Sequence, residues 1–175
     1  MSMTTKRLTR LALLTAAALV LGYVESFIPV APGIPGVKLG LSNTVLLYAI
    51  YLMDTKSAVI LMLLKVVLSG FLFAGVSAML FSLGGGILSL IMMLLVRALW
   101  REKISVIGVS LVGAVFHNLG QLSVAAFVVK TLPLLTYLPI LLISALITGV
   151  LTGLIAKYVF RALGAMGVKE EGSKK

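Results

Sequence analysis

The run GAVFHNLGQL at 113–122 places an imidazole and two carboxamides, His117, Asn118 and Gln121, among Val, Leu, Ala and Phe. His117 and Gln121 are four residues apart, and Asn118 and Gln121 three, so a helix sets each pair on one face. Such a face can hydrogen-bond a small ligand or a neighbouring helix. Gly113 and Gly120 leave room beside it for a backbone or a ligand. Other polar groups interrupt apolar runs in the same way: Glu25, then Lys38, Ser42 and Asn43, then Lys65. An ionisable side chain in hydrocarbon is expensive and marks a functional site by default. The candidate ligand contacts are therefore Glu25, Lys38, Asn43, His117, Asn118 and Gln121. Lys65 either snorkels, pairs with Glu25 or joins them. The competing reading of the amides is interhelical bonding, worth about 0.6–2 kcal/mol each.

Catalytic chemistry is poorly served. One histidine, without cysteine or a nearby acid, makes neither a triad nor a metal centre. SLGGG at 82–86 lacks the lysine of a phosphate loop. No metal, no cofactor and no enzymatic activity are expected.

The elements that must position these groups are membrane helices. The chain has 175 residues, of which 61% are hydrophobic and 11% charged, more apolar surface than a soluble domain this size can hide. A bilayer is the natural solvent. Six spans are expected, at about Leu11–Ile28, Leu39–Met53, Ser57–Phe73, Met79–Trp100, Ile104–Val129 and Leu138–Leu163. The first is read as a retained helix, not a cleaved signal. The second is short for a 30 Å core. Residues 1–165 form one all-α transmembrane domain, and 166–175 a disordered cytoplasmic tail.

An even number of spans puts both termini on one side. Lys6, Arg7, Arg10, Lys56, Arg97, Arg101, Lys103, Lys157, Arg161, Lys169, Lys174 and Lys175 then share that side, against Lys38 and Lys130 on the other. That asymmetry predicts cytoplasmic N and C termini in the cell membrane. The net charge of +10 is read as orientation and not as a nucleic-acid footprint, because the charges are scattered between apolar runs.

Small residues indicate close packing. Ala12 and Ala16 are four apart on the first helix, Gly149 and Gly153 on the sixth. Each pair serves internal packing or docking of a partner. The triple glycine at 84–86 is read as a hinge or a close-approach site, and the PVAPGIPG loop as a stiff, sharply turned cover. The start of the second helix, with Lys38, would suit an anionic or carbonyl group.

Three stretches, ESFIPVAPGIPGVKLGLSN, FSLGGGILSL and VGAVFHNLGQL, resemble the Gx transporter family, also labelled heptaprenyl diphosphate synthase component I. The resemblance covers roughly residues 10–160. This family is similar to the substrate-binding S components of energy-coupling factor (ECF) transporters. The resemblance implies a six-helix bundle that captures a vitamin-like, isoprenoid or quinone-related small molecule from outside. It implies a transmembrane coupling subunit and an ATPase pair as partners, with Ala12 and Ala16 matching the alanine motif that contacts the coupling subunit. The synthase label implies an alternative, a non-catalytic accessory subunit in isoprenoid, quinone or flavin-linked redox metabolism. Prenyl diphosphate synthases hold magnesium and diphosphate through Asp-rich motifs. Here Asp54 is the single aspartate.

Overall fold

The computed structural model describes residues 5–28, 39–100, 103–130 and 136–165. Lys38, the whole PVAPGIPG loop and the 166–175 tail lie outside them. The described residues form six α-helices: α1 (Thr5–Ser26), α2 (Leu41–Leu52), α3 (Thr55–Ser69), α4 (Val76–Trp100), α5 (Val106–Val129) and α6 (Leu138–Ala165). Five apolar helical stretches are long enough to cross a membrane, with α3 extended to Ala74. These are the helices of a multi-pass membrane protein. Their outward faces are apolar, with Phe127 84% exposed and Phe71 72%, a surface suited to lipid and not to water.

The helices meet where side chains are smallest. A Cβ on Gly85 would lie 2.6 Å from the His117 carbonyl oxygen, and one on Gly120 2.6 Å from that of Gly84. Such contacts need glycine on both partners, and they set the α4–α5 crossing. On α6, Gly149 and Gly153 approach the α5 backbone at Leu111 and Ile107, at 2.8 and 2.7 Å by the same measure. The Gly-x-x-x-Gly pair thus serves internal packing. The hinge reading of 84–86 is corrected: all three glycines lie inside the uninterrupted α4. Gly84 and Gly85 face α5, and Gly86 faces Met62 of α3. They are close-approach positions.

One glycine does make a sharp turn. After α3 the chain widens into a π-helical turn, Gly70–Ala74, and Gly75 alone joins it to α4. Gly75 has φ 85°, which side chains with a Cβ rarely adopt, and its N–H donates to the Gly70 carbonyl at 2.9 Å.

The short helix α2 rises only about 18 Å, too little for a 30 Å hydrocarbon layer. Its N-terminal end therefore finishes inside the bundle, and neighbours bond both ends. At the N-terminus, the Gly40 N–H donates to Glu25 Oε1 of α1 at 2.5 Å. At the C-terminus, Arg97 of α4 donates to the Ile50 carbonyl and lies 4.5 Å over the Tyr51 ring. A carboxylate at the positive end and a guanidinium at the negative end both match the helix dipole. A further charged group ties α1 to the α2–α3 turn: Arg7 pairs with Asp54 at 2.7 Å, and Ser57 donates to Asp54 at 2.5 Å. Desolvation raises the Asp54 carboxyl. The Ser57 hydrogen bond and the Arg7 charge outweigh it, so Asp54 sits below the usual carboxylate range.

Candidate functional site: a polar cavity inside the bundle

Each helix turns a stripe of small and polar residues inward. On α1 the stripe is Ala18, Gly22 and Glu25; on α4 it is Ser82, Gly86, Ser89 and Met93; on α5 it is Ser110, Gly113, His117 and Gln121. Spacings of three and four residues make each a single face. Together with Asn43 of α2, Lys65 of α3 and Thr148 and Thr152 of α6, these stripes enclose a cavity of about 100 Å³. That is room for several water molecules or a small polar group.

Five of the six residues singled out in the sequence, Glu25, Asn43, His117, Asn118 and Gln121, line this one cavity, and Lys65 lines it too. The sixth, Lys38, lies outside the described residues. Their bonds differ. Lys65 Nζ donates to Asn43 Oδ1 at 2.6 Å, joining α3 to α2. Asn118 Nδ2 donates to the Leu141 carbonyl at 2.8 Å, joining α5 to α6. The His117 imidazole rests against Gly85, where only a glycine leaves space for it.

Glu25 is buried at 4% exposure, and its bond to Gly40 fills the position at the start of α2 that would otherwise suit an external anion. The adjoining segment is fixed again from α6, where the Thr152 hydroxyl lies 3.2 Å from the Leu39 carbonyl and 2.6 Å from that of Thr148. Gly40 itself has φ 79°, so its glycine is required by the backbone as well.

Sequence reasoning passed over Ser82, Ser89, Ser110, Thr148 and Thr152, which also line the cavity. The signal was periodic: Ser110 and Ser89 extend the faces of His117 and Gly86 by two turns or one. A serine in a membrane helix is cheap enough to be overlooked singly. Ala12 and Ala16 stand apart from the cavity, exposed on the outer face of α1. Among the described residues no three His, Asp or Glu side chains gather into a metal-ligand set.

The arrangement can hold a small molecule by hydrogen bonds from several helices at once, with one carboxylate and one ammonium in its wall. No curated protein and no solved structure matches the chain. The family described as heptaprenyl diphosphate synthase component I matches residues 14–159, from the third turn of α1 into α6. The chain belongs to the heptaprenyl diphosphate synthase component I family.

Proposed function

We propose that the chain is the substrate-binding, S-component-like subunit of an ECF-type importer in the cell membrane. The observation that carries this reading is the convergence of polar side chains from six helices on one internal cavity. Glue between helices needs pairs, whereas this set lines a space. The contact residues in this reading are Glu25, Asn43, His117, Asn118 and Gln121, with Lys38 contributing from the first outer loop. The basic residues put both termini in the cytoplasm. In this orientation the cavity runs from the last turns of α1 and α3 and the start of α2 in the outer half, past Gln121 and His117, to Ser89 and Ser110 deeper in the bundle. ATP hydrolysis belongs to a partner ATPase pair, reached through a transmembrane coupling subunit that docks on Ala12 and Ala16. Both alanines lie on an exposed helix face, where small side chains allow close approach.

The test is co-purification. Wild-type chain extracted in mild detergent should bring down a membrane coupling subunit and ATPases. Replacing Ala12 and Ala16 together with Leu should abolish that association and leave small-molecule binding intact. Normal assembly of the double variant would remove the docking assignment.

A second reading follows from the family's name, in which "component I" implies a partner component. The chain would then be a non-catalytic membrane subunit in isoprenoid, quinone or flavin-linked redox metabolism. Asp54, the single aspartate, is bonded to Arg7 and Ser57 at a helix turn away from the cavity, so an Asp-rich diphosphate site would have to come from the partner. Capture of a soluble prenyltransferase in the same experiment would favour this reading.

A further inference from the structure

Several hydroxyls in these helices turn back on their own backbone. Thr15 donates to the Leu11 carbonyl at 2.8 Å, Ser69 to that of Val66 at 3.0 Å, and Ser123 to that of Leu119 at 2.8 Å. Ser89 and Ser110 do not. Each is 4% exposed, each lines the cavity, and neither hydroxyl has a partner among the described residues. Both lie on the far side of the cavity from Gln121. Eleven residues of α5 separate Gln121 from Ser110, about 16 Å along the axis. Next to them, Gly113 yields its place to the Met93 side chain: a Cβ there would lie 2.5 Å from Met93 Sδ and 3.3 Å from Ser89 Oγ. Two unsatisfied hydroxyls beside a glycine form a wall that hydrocarbon would solvate badly and a hydrogen-bonding group would solvate well. Glu25 and Lys65 leave the described lining without net formal charge when His117 is neutral.

Resting on the binding reading above, we infer that Ser89 and Ser110 form a subsite for an uncharged hydrogen-bonding group of the ligand, such as a hydroxyl, carbonyl or ring nitrogen. The ligand is then a compact polar molecule, neutral or zwitterionic. A prenyl tail is excluded from this end of the cavity because it would bury both hydroxyls unpaired.

The test uses the full chain in detergent and follows its thermal unfolding. The probes are the aqueous and octanol phases of a small-molecule extract from the cells that make it, with farnesol as a defined prenyl compound. The aqueous phase should raise the melting temperature of wild type and of a Ser123→Ala control. Farnesol and the octanol phase should not. Ser89→Ala and Ser110→Ala, separately and together, should melt without extract at or above the wild-type temperature. The double variant should need about tenfold or more extract for the same shift. An equal shift in wild type and double variant would overturn the subsite. A shift from farnesol or the octanol phase that the double variant keeps would overturn the polar assignment while leaving a binding protein. No shift of wild type by either phase would overturn the binding reading and this inference with it.

Discussion

Glu25 and Arg97 stand at opposite ends of α2, the carboxylate bonded to the Gly40 N–H and the guanidinium to the Ile50 carbonyl. A helix of 12 residues cannot reach both faces of a bilayer. Two charges borrowed from α1 and α4 bond its ends instead. Arg97→Leu should destabilise the fold by about 1.5–3 kcal/mol, the usual range for a hydrogen bond to a charged group. Arg97→Lys should recover part of it. Glu25→Gln, which keeps an acceptor oxygen, should cost less than Glu25→Ala. Equilibrium unfolding in mixed detergent micelles measures each difference.

The α4–α5 crossing predicts a sharp contrast among glycines. Gly85→Ala and Gly120→Ala each drive a Cβ into backbone 2.6 Å away, so the helices must part, at about 1–3 kcal/mol each. Gly164→Ala meets nothing within 4 Å in the last turns of α6. It should be neutral or stabilise by up to about 1 kcal/mol through helix propensity. Unfolding of the three variants side by side checks this.

Thr44 is buried in α2 and its hydroxyl has no partner among the described residues. Thr44→Val keeps the shape and removes the unpaired group, so it should stabilise the chain by about 1 kcal/mol. A loss of stability would mean that the hydroxyl is bonded after all.

The Arg7–Asp54–Ser57 cluster predicts an acid-side slope. The Asp54 carboxyl titrates lower folded than unfolded, because the Ser57 hydrogen bond and Arg7 outweigh its desolvation. Its contribution is thus present above a pH of about 4 and lost as pH falls through the folded value. Half of the Asp54 side chain is exposed, so the effect is small. Melting temperature should fall less between pH 5 and pH 3 in Asp54→Asn than in wild type.

Much of this architecture was legible in the sequence, for reasons that also mark its limits. Hydropathy located all six helices, because spans in lipid are long and apolar. Glu25, Asn43, His117, Asn118 and Gln121 stood out because each interrupts such a span, and the structure brings all five to one cavity. What each of them bonds was not legible. Glu25 meets Gly40 across 15 residues and Arg97 meets Ile50 across 47, and no local pattern encodes such pairs. The triple glycine read equally well as hinge or contact until α5 was seen lying against it. Ser89 and Ser110 escaped notice because single serines are common in membrane helices, and only the faces they share with Gly86 on α4 and His117 on α5 mark them.

The central claim is that this cavity holds a small molecule, and the most direct measurement is mass spectrometry of what the purified chain releases on denaturation, beside a Gln121→Leu variant. Gln121 lines the cavity, and the substitution keeps its bulk while removing its hydrogen-bonding amide. A polar compound present in stoichiometric amount in wild type, and reduced about tenfold or more in a variant that remains folded, is the predicted result. The same lipids in both preparations and no other bound species would contradict it, and would make the polar stripes interhelical glue.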